Sequence, residues 1–153
     1  MVRSLVPATR KSGKKNRKVN FGYQFSVMMS SIDRAGVLFY PELFRHAHDA
    51  YEAFMAQLGQ DLPGIFAAGD LHIPVVHAEA DYLLPLTHGE SVAVTVTAGG
   101  VGNSSFTIDC VFVDAQGRTA AKVRSVHVCI DPLSRQPAPL PAALREKLAA
   151  GLA

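Results

Sequence analysis

A carboxylate, a glycine and the start of a helix fall within eight residues of one another in Asp33-Arg34-Ala35-Gly36-Val37-Leu38-Phe39-Tyr40. Pro41 follows, and proline fits the first helical position because its missing N–H would have no partner there. A carboxylate in a partly desolvated site serves as general base or as direct nucleophile. A helix N-terminus supplies unpaired N–H groups and the positive end of a dipole, which suit a developing oxyanion. Gly36 lets the connecting loop turn and approach a ligand closely. Together these parts could attack a carbonyl and stabilise the charge that forms on its oxygen. The other use of Asp33 is as a loop or helix cap, for which aspartate is common.

Further polar pairs recur at regular spacing. His48 and Glu52 lie four apart, on one face of a helix, as an acid–base couple or as a surface or interface hydrogen bond. Lys122 and Arg124 alternate with Val123 on a strand, so both point away from its buried side. They suit the phosphates of a nucleotide-bearing ligand or, equally, solvent. His46, His72, His77, His88 and His127 show no metal-binding spacing, and no metal is expected. A Gly-x-Ser-x-Gly elbow and a phosphate-binding Gly-rich loop with its lysine are both missing from the chain.

The elements that must position these residues are legible from periodicity. Phe21, Tyr23, Phe25, Val27 and Met29 alternate with smaller or polar residues, which predicts a strand with one buried face. Leu43, Phe44, Ala47, Tyr51, Phe54, Met55 and Leu58 recur at helical spacing, from Pro41 to a C-terminal cap at Gly59. From residue 72 to 131 the chain reads as four antiparallel strands. The alternating sets are Val76 to Tyr82, Val92 to Val96 and Phe106 to Phe112, followed by a run from about Thr119 to Ile130. Asp114-Ala115-Gln116-Gly117 marks a hairpin turn. Pro132, Pro137, Pro139 and Pro141 then break the chain before Leu140, Leu144 and Leu148 suggest a short helix. Strand, long helix and four strands make an α+β layer architecture: five antiparallel strands wrapped around one central helix.

The Asp33–Tyr40 segment resembles the Asp-x-x-Gly-[Val/Ile]-[Val/Leu]-[Tyr/Phe] motif of the 4-hydroxybenzoyl-CoA thioesterase family. Its continuation, Arg45 to Glu52, is similar to the helix of the 1,4-dihydroxy-2-naphthoyl-CoA hydrolases within that family. Asp81-Tyr82-Leu83-Leu84-Pro85-Leu86 with Gly89-Glu90 resembles the family's second strand and turn, so the likeness runs over roughly residues 21 to 130. It implies a hot-dog fold and hydrolysis of an acyl-CoA, with an aryl or otherwise bulky acyl group, to the free acid and CoA. Asp33 would be the catalytic carboxylate and the Tyr40 N–H the group that polarises the carbonyl. Glu52 would be a second carboxylate, since one branch of these enzymes uses a helix glutamate as base. Val37, Phe39, Tyr40 and the apolar helix face would line the acyl pocket, and Lys122 and Arg124 would meet the CoA phosphates. The family acts as dimers or tetramers without a cofactor. A hydratase or dehydratase on the same fold would want a histidine in the Asp33–Tyr40 loop, where none occurs. A non-catalytic acyl-CoA-binding protein is the other alternative.

Composition bounds the remainder. The 153 residues suit one domain, 48% hydrophobic and 18% charged, with no apolar run near membrane-spanning length. Residues 1 to 20 hold seven basic residues and no acid, which leaves 8 basic against 13 acidic residues in the rest. An acidic body argues against a nucleic-acid-binding domain, and the tail reads as a solvated terminus. The expected organisation is a basic tail over 1–20, a hot-dog domain over 21–131 and a Pro-rich linker with a short helix over 132–153. Cys110 and Cys129 are too few for a disulfide framework, so they read as reduced thiols of a cytoplasmic protein.

Overall fold

The computed structural model describes residues 20–150, and the basic tail through residue 19 lies outside them. Strand β1 (Phe21–Ser26) leads through a 3₁₀ turn (Met29–Ser31) to the long helix α1 (Tyr40–Gln57). A short helix α2 (Leu62–Ala68) precedes strands β2 (Val75–Tyr82), β3 (Ser91–Val101), β4 (Ser105–Val113) and β5 (Thr119–Val128), and helix α3 (Ala142–Ala150) ends the described chain. The five strands form one sheet in the order β1-β3-β4-β5-β2, antiparallel at every step. β1 and β2 therefore occupy opposite edges. α1 carries the chain from one to the other across the sheet's inner face, touching β1, β3, β4 and β5. This is the hot-dog arrangement.

Alternation along the strands builds the inner face. Val92, Val94 and Val96 of β3, Phe106, Ile108, Cys110 and Phe112 of β4, and Val123 of β5 are buried against Leu43, Ala47, Ala50, Tyr51, Phe54 and Met55 of α1. Burying each large side chain contributes about 1.5–3 kcal/mol. α1 ends where Gly59, at φ +71°, allows the Gly59 and Gln60 N–H groups to reach the Ala56 and Met55 carbonyls, both at 2.9 Å. β3 runs past Gly99 to Val101 through an irregularity, and a Cβ at Gly99 would collide with Thr107 Oγ1.

Four features depart from, or add to, the periodicity. Met29 does not extend the buried face of β1: it enters the 3₁₀ turn, which leaves the pleat, and stands 69% exposed. β2 alternates in sequence, yet Val75, Val76 and Tyr82 are exposed because the strand is an edge, bonded among the described residues only to β5. α2 arises in a segment without clear period. Asp61 caps it by accepting the Gly64 N–H at 3.0 Å, and Gly69 ends it at φ +73°. The segment after β5 packs back on the domain, with Leu140, Leu144 and Leu148 buried and Arg145 donating to the Asn103 carbonyl at 2.8 Å.

His127 lies inside the core, 1% exposed, its ring stacked on Phe106 at 5.0 Å between centroids. Burial, with the nearby His48 second, lowers its pKa to about 4. The fold thus favours the neutral ring. That contribution is complete above the unfolded pKa near 6.5 and shrinks as pH falls toward about 4. Wild type is expected to lose on the order of 2 kcal/mol more than His127→Phe between pH 7 and pH 4.5, by denaturant titration. Equal losses in the two proteins would show that His127 is not the titrating group.

Candidate active site

The loop that holds Asp33 is closed by its own backbone. The Asp33 N–H donates to the Val37 carbonyl at 2.8 Å and the Gly36 N–H to the Asp33 carbonyl at 3.0 Å. Gly36 sits at φ +79°, a conformation that side chains strain, so the turn requires glycine there. Flanking bonds fasten this turn to its surroundings: Leu38 N–H to the Leu86 carbonyl at 2.7 Å and Phe39 N–H to the Ser31 carbonyl at 2.8 Å.

Asp33 caps its own turn with one carboxylate oxygen only. One carboxylate oxygen, Oδ1, accepts from the Ala35 N–H at 2.8 Å and lies 3.4 Å from that of Val37. The other oxygen has no partner among the described residues. The side chain is half-buried at the mouth of α1. Its orientation is therefore held by local structure while half of its acceptor capacity stays available.

At the helix start, Pro41 has no N–H and the Glu42 N–H turns back to the Phe39 carbonyl at 2.9 Å. The Tyr40 N–H finds no acceptor among the described residues. It is thus the available donor at the positive end of α1. Tyr82 of edge strand β2 donates its hydroxyl to the Tyr40 carbonyl at 2.8 Å, tying that edge to the helix start. Glu42 supplies negative charge in the first turn. A hydrogen bond from Arg45 comes first among the causes that lower its pKa.

Beside this loop opens a cavity of about 270 Å³, bounded by Val37, Leu38 and Leu43 on one side and by Tyr82 to Leu86 with Ala121 on the other. Val37, which bonds Asp33, is thus shared by loop and cavity wall. Phe39 and Tyr40 do not line it: their rings meet edge to face at 5.3 Å and project outward, 46% and 64% exposed.

His48 and Glu52 form an exposed pair at 3.7 Å. They stand two to three turns along α1 from Tyr40, about 12 Å for His48 at 1.5 Å per residue. One chain does not bring them to the Asp33 loop. Lys122 and Arg124 both lie exposed on the outer face of β5. The Arg124 guanidinium is forked on Asp109, at 2.7 and 3.3 Å, whereas Lys122 has no ion pair among the described residues. Burial pushes the Cys110 thiol up to about 12, which makes it a poor nucleophile. Tyr82 is the contributor that residue patterns did not single out. It lay within the Asp81–Leu86 segment, but its partner stands 42 residues away in sequence.

Comparison with known proteins follows the same lines. The family model of the thioesterase-like superfamily matches residues 27–148. The 1,4-dihydroxy-2-naphthoyl-CoA hydrolase of Rippkaea orientalis is 34% identical over 128 residues, covering 82% of this chain and 93% of the relative. Its counterpart in Synechococcus elongatus is 33% identical, covering 82% and 94%. Among solved structures, a 1,4-dihydroxy-2-naphthoyl-CoA thioesterase from Synechocystis superposes with a TM-score of 0.81 at 28% identity, covering 86% of this chain and 96% of that one. The chain therefore belongs to the thioesterase-like superfamily and is a hot-dog-fold thioesterase.

Proposed function

We propose that Asp33 is the catalytic carboxylate in the acyl-CoA thioester hydrolysis that this enzyme performs, and that the Tyr40 N–H receives the charge formed on the thioester oxygen. One observation supports this assignment: a carboxylate oxygen and a helix-terminal N–H, both without partners among the described residues, stand at the two ends of one braced loop whose Val37 and Leu38 line the adjoining cavity. The Tyr40 N–H polarises the carbonyl as its carbon becomes tetrahedral. Asp33 either takes a proton from the attacking water or adds to the carbonyl to form a mixed anhydride that water then opens. In both routes the sulfur leaves as the CoA thiol and water supplies the oxygen of the free acid. Gly36 maintains the turn that aims the carboxylate. The test is CoA release from a panel of benzoyl, naphthoyl, phenylacetyl, short-chain and long-chain thioesters, read with a thiol reagent. No release from any of them would remove the assignment.

Lys122 suits the CoA phosphates because it is exposed and has no ion pair among the described residues, although it stands on the face of β5 opposite Ala121 and the cavity. Arg124, already forked on Asp109, adds positive charge less directly. Binding through these cations would weaken with rising salt. The two free buried thiols fit a reducing, cytoplasmic setting.

The active form would be a homo-oligomer, a dimer or tetramer, and no nucleic-acid or membrane partner is invoked. Edge strand β2 has, among the described residues, no strand paired on its outer side, and it exposes Val75, Val76 and Tyr82. Met28, Met29, Phe39, Tyr40 and Leu83 add further exposed apolar side chains, several of them beside the helix start. In such an assembly His48 and Glu52, remote from Asp33 in their own chain, would be offered to a neighbouring subunit. Light scattering is expected to give at least twice the chain mass, and a stable monomer at working concentration would contradict this.

A further inference from the structure

The N–H assigned above to the thioester oxygen belongs to a helix start with few anchors of its own. Helix ends open readily, because their first N–H groups have no partner inside the helix. The residue before α1 is Phe39, whose side chain makes no capping bond, and Pro41 contributes no N–H. Other elements supply what is missing. The chain just before α1 lies along the segment that follows β2: the Leu38 N–H donates to the Leu86 carbonyl at 2.7 Å, and Val37 bridges Thr87. Tyr82, the last residue of β2, donates its hydroxyl to the Tyr40 carbonyl at 2.8 Å. Among the described residues this is the hydrogen bond that joins α1 to β2. Its footing is firm. Tyr82 pairs with Ala121 across the β2–β5 ladder, and the next two N–H groups, of Leu83 and Leu84, share the Ala120 carbonyl at 2.9 Å.

Resting on the assignment of Asp33 and Tyr40 above, we propose that Tyr82 is a positioning residue for this reaction: its hydroxyl, through the Tyr40 carbonyl, holds the Tyr40 N–H where charge forms on the thioester oxygen. In an α-helix the Tyr40 carbonyl also accepts from the N–H four residues on, that of Phe44. Tyr82 adds a second donor from outside the helix, so residue 40 is held by both α1 and the sheet. A carbonyl held in this way restricts rotation about the Tyr40 Cα–C bond and keeps the residue from drifting away from the Asp33 turn. A donor aimed in advance needs no reorganisation during the reaction, and a displacement of about 1 Å can cost about 100-fold in rate. Loss of one brace among several costs less. The effect falls on the chemical step more than on binding, because the N–H bonds the oxygen most strongly once that oxygen is charged.

Tyr82→Phe tests this, because it keeps the ring on the cavity wall and removes the hydroxyl alone. With a thioester that wild type hydrolyses, kcat for CoA release is expected to fall about 10-fold while KM stays within about 3-fold. The melting temperature should stay within about 2 °C and the mass by light scattering should not change. Amide hydrogen exchange at Glu42 and Phe44, in the first turns of α1, is expected to quicken about 10-fold as the helix start opens more often. A kcat within about 2-fold of wild type overturns the inference. So does a lowered kcat with unchanged exchange at those two amides, because the hydroxyl would then act on the substrate itself. A raised KM alone places the hydroxyl in binding, and a melting temperature lower by more than about 5 °C places it in stability; either result overturns the inference too. Failure of the underlying assignment looks different: Asp33→Asn would keep its turnover, whatever Tyr82→Phe does to amide exchange.

Discussion

Asp33→Asn is expected to lower turnover by about 1,000-fold, within the range for loss of a general base or nucleophile, while leaving thermal stability nearly unchanged. The two expectations separate because the two carboxylate oxygens differ in their partners. Oδ1 accepts from the Ala35 N–H at 2.8 Å, and an asparagine carbonyl can take over that bond. The second oxygen, without a partner among the described residues, is where water or the thioester carbonyl would be met, and an amide there neither accepts the proton nor attacks. CoA release by wild type and variant, with a thermal melt beside it, decides the matter. A variant within 10-fold of wild type would show that the carboxylate serves only the turn. Asp33→Ala would not separate these functions, because it also removes the Asx-type bond that shapes the loop.

Phe54→Ala is expected to destabilise the domain by about 3–5 kcal/mol, the range for removing a fully buried phenyl group and leaving a cavity. Phe54 of α1 is fully buried in the core, and its ring lies 6.0 Å from that of Phe21 on edge strand β1. Truncation there loosens both the helix and the edge it supports. The melting temperature should fall by about 10 °C or more for a domain of this size. A fall of under about 3 °C would show that the core is centred elsewhere. Leu133, 94% exposed, is a suitable control, because its truncation should be close to neutral.

Much of this architecture was legible in residue order, because the relevant causes are local. Pro41, the three- and four-residue spacing from Leu43 to Leu58 and the glycine at position 59 specify α1, since backbone geometry and amphipathicity act over a single turn. Asp33 and Gly36 specify their turn by the same logic: an aspartate bonds two residues on, and only glycine rests easily at φ +79°. The run Asp61-Leu62-Pro63, closed by Gly69, held an equally local signal for α2, one hidden by the lack of an apolar period.

Strand order, exposure and long-range contact were decided by tertiary structure alone. Alternation in β2 looked like that of β3, yet β2 is an exposed edge and β3 is paired on both sides, a difference set by topology and not by either strand's residues. The same cause buries His127 and exposes Met29. Tyr82 reaches Tyr40 only because α1 carries the chain across the sheet, so that β2 returns beside the helix start. By itself the sequence determined the carboxylate, its turn and the helix that follows, because each depends on neighbours within a few residues. The folded chain decided which face of that helix meets solvent, which tyrosine braces its start and how apolar the adjoining cavity is. Those properties depend on residues brought together only when loop closure over long stretches of chain is offset by burial of the shared core.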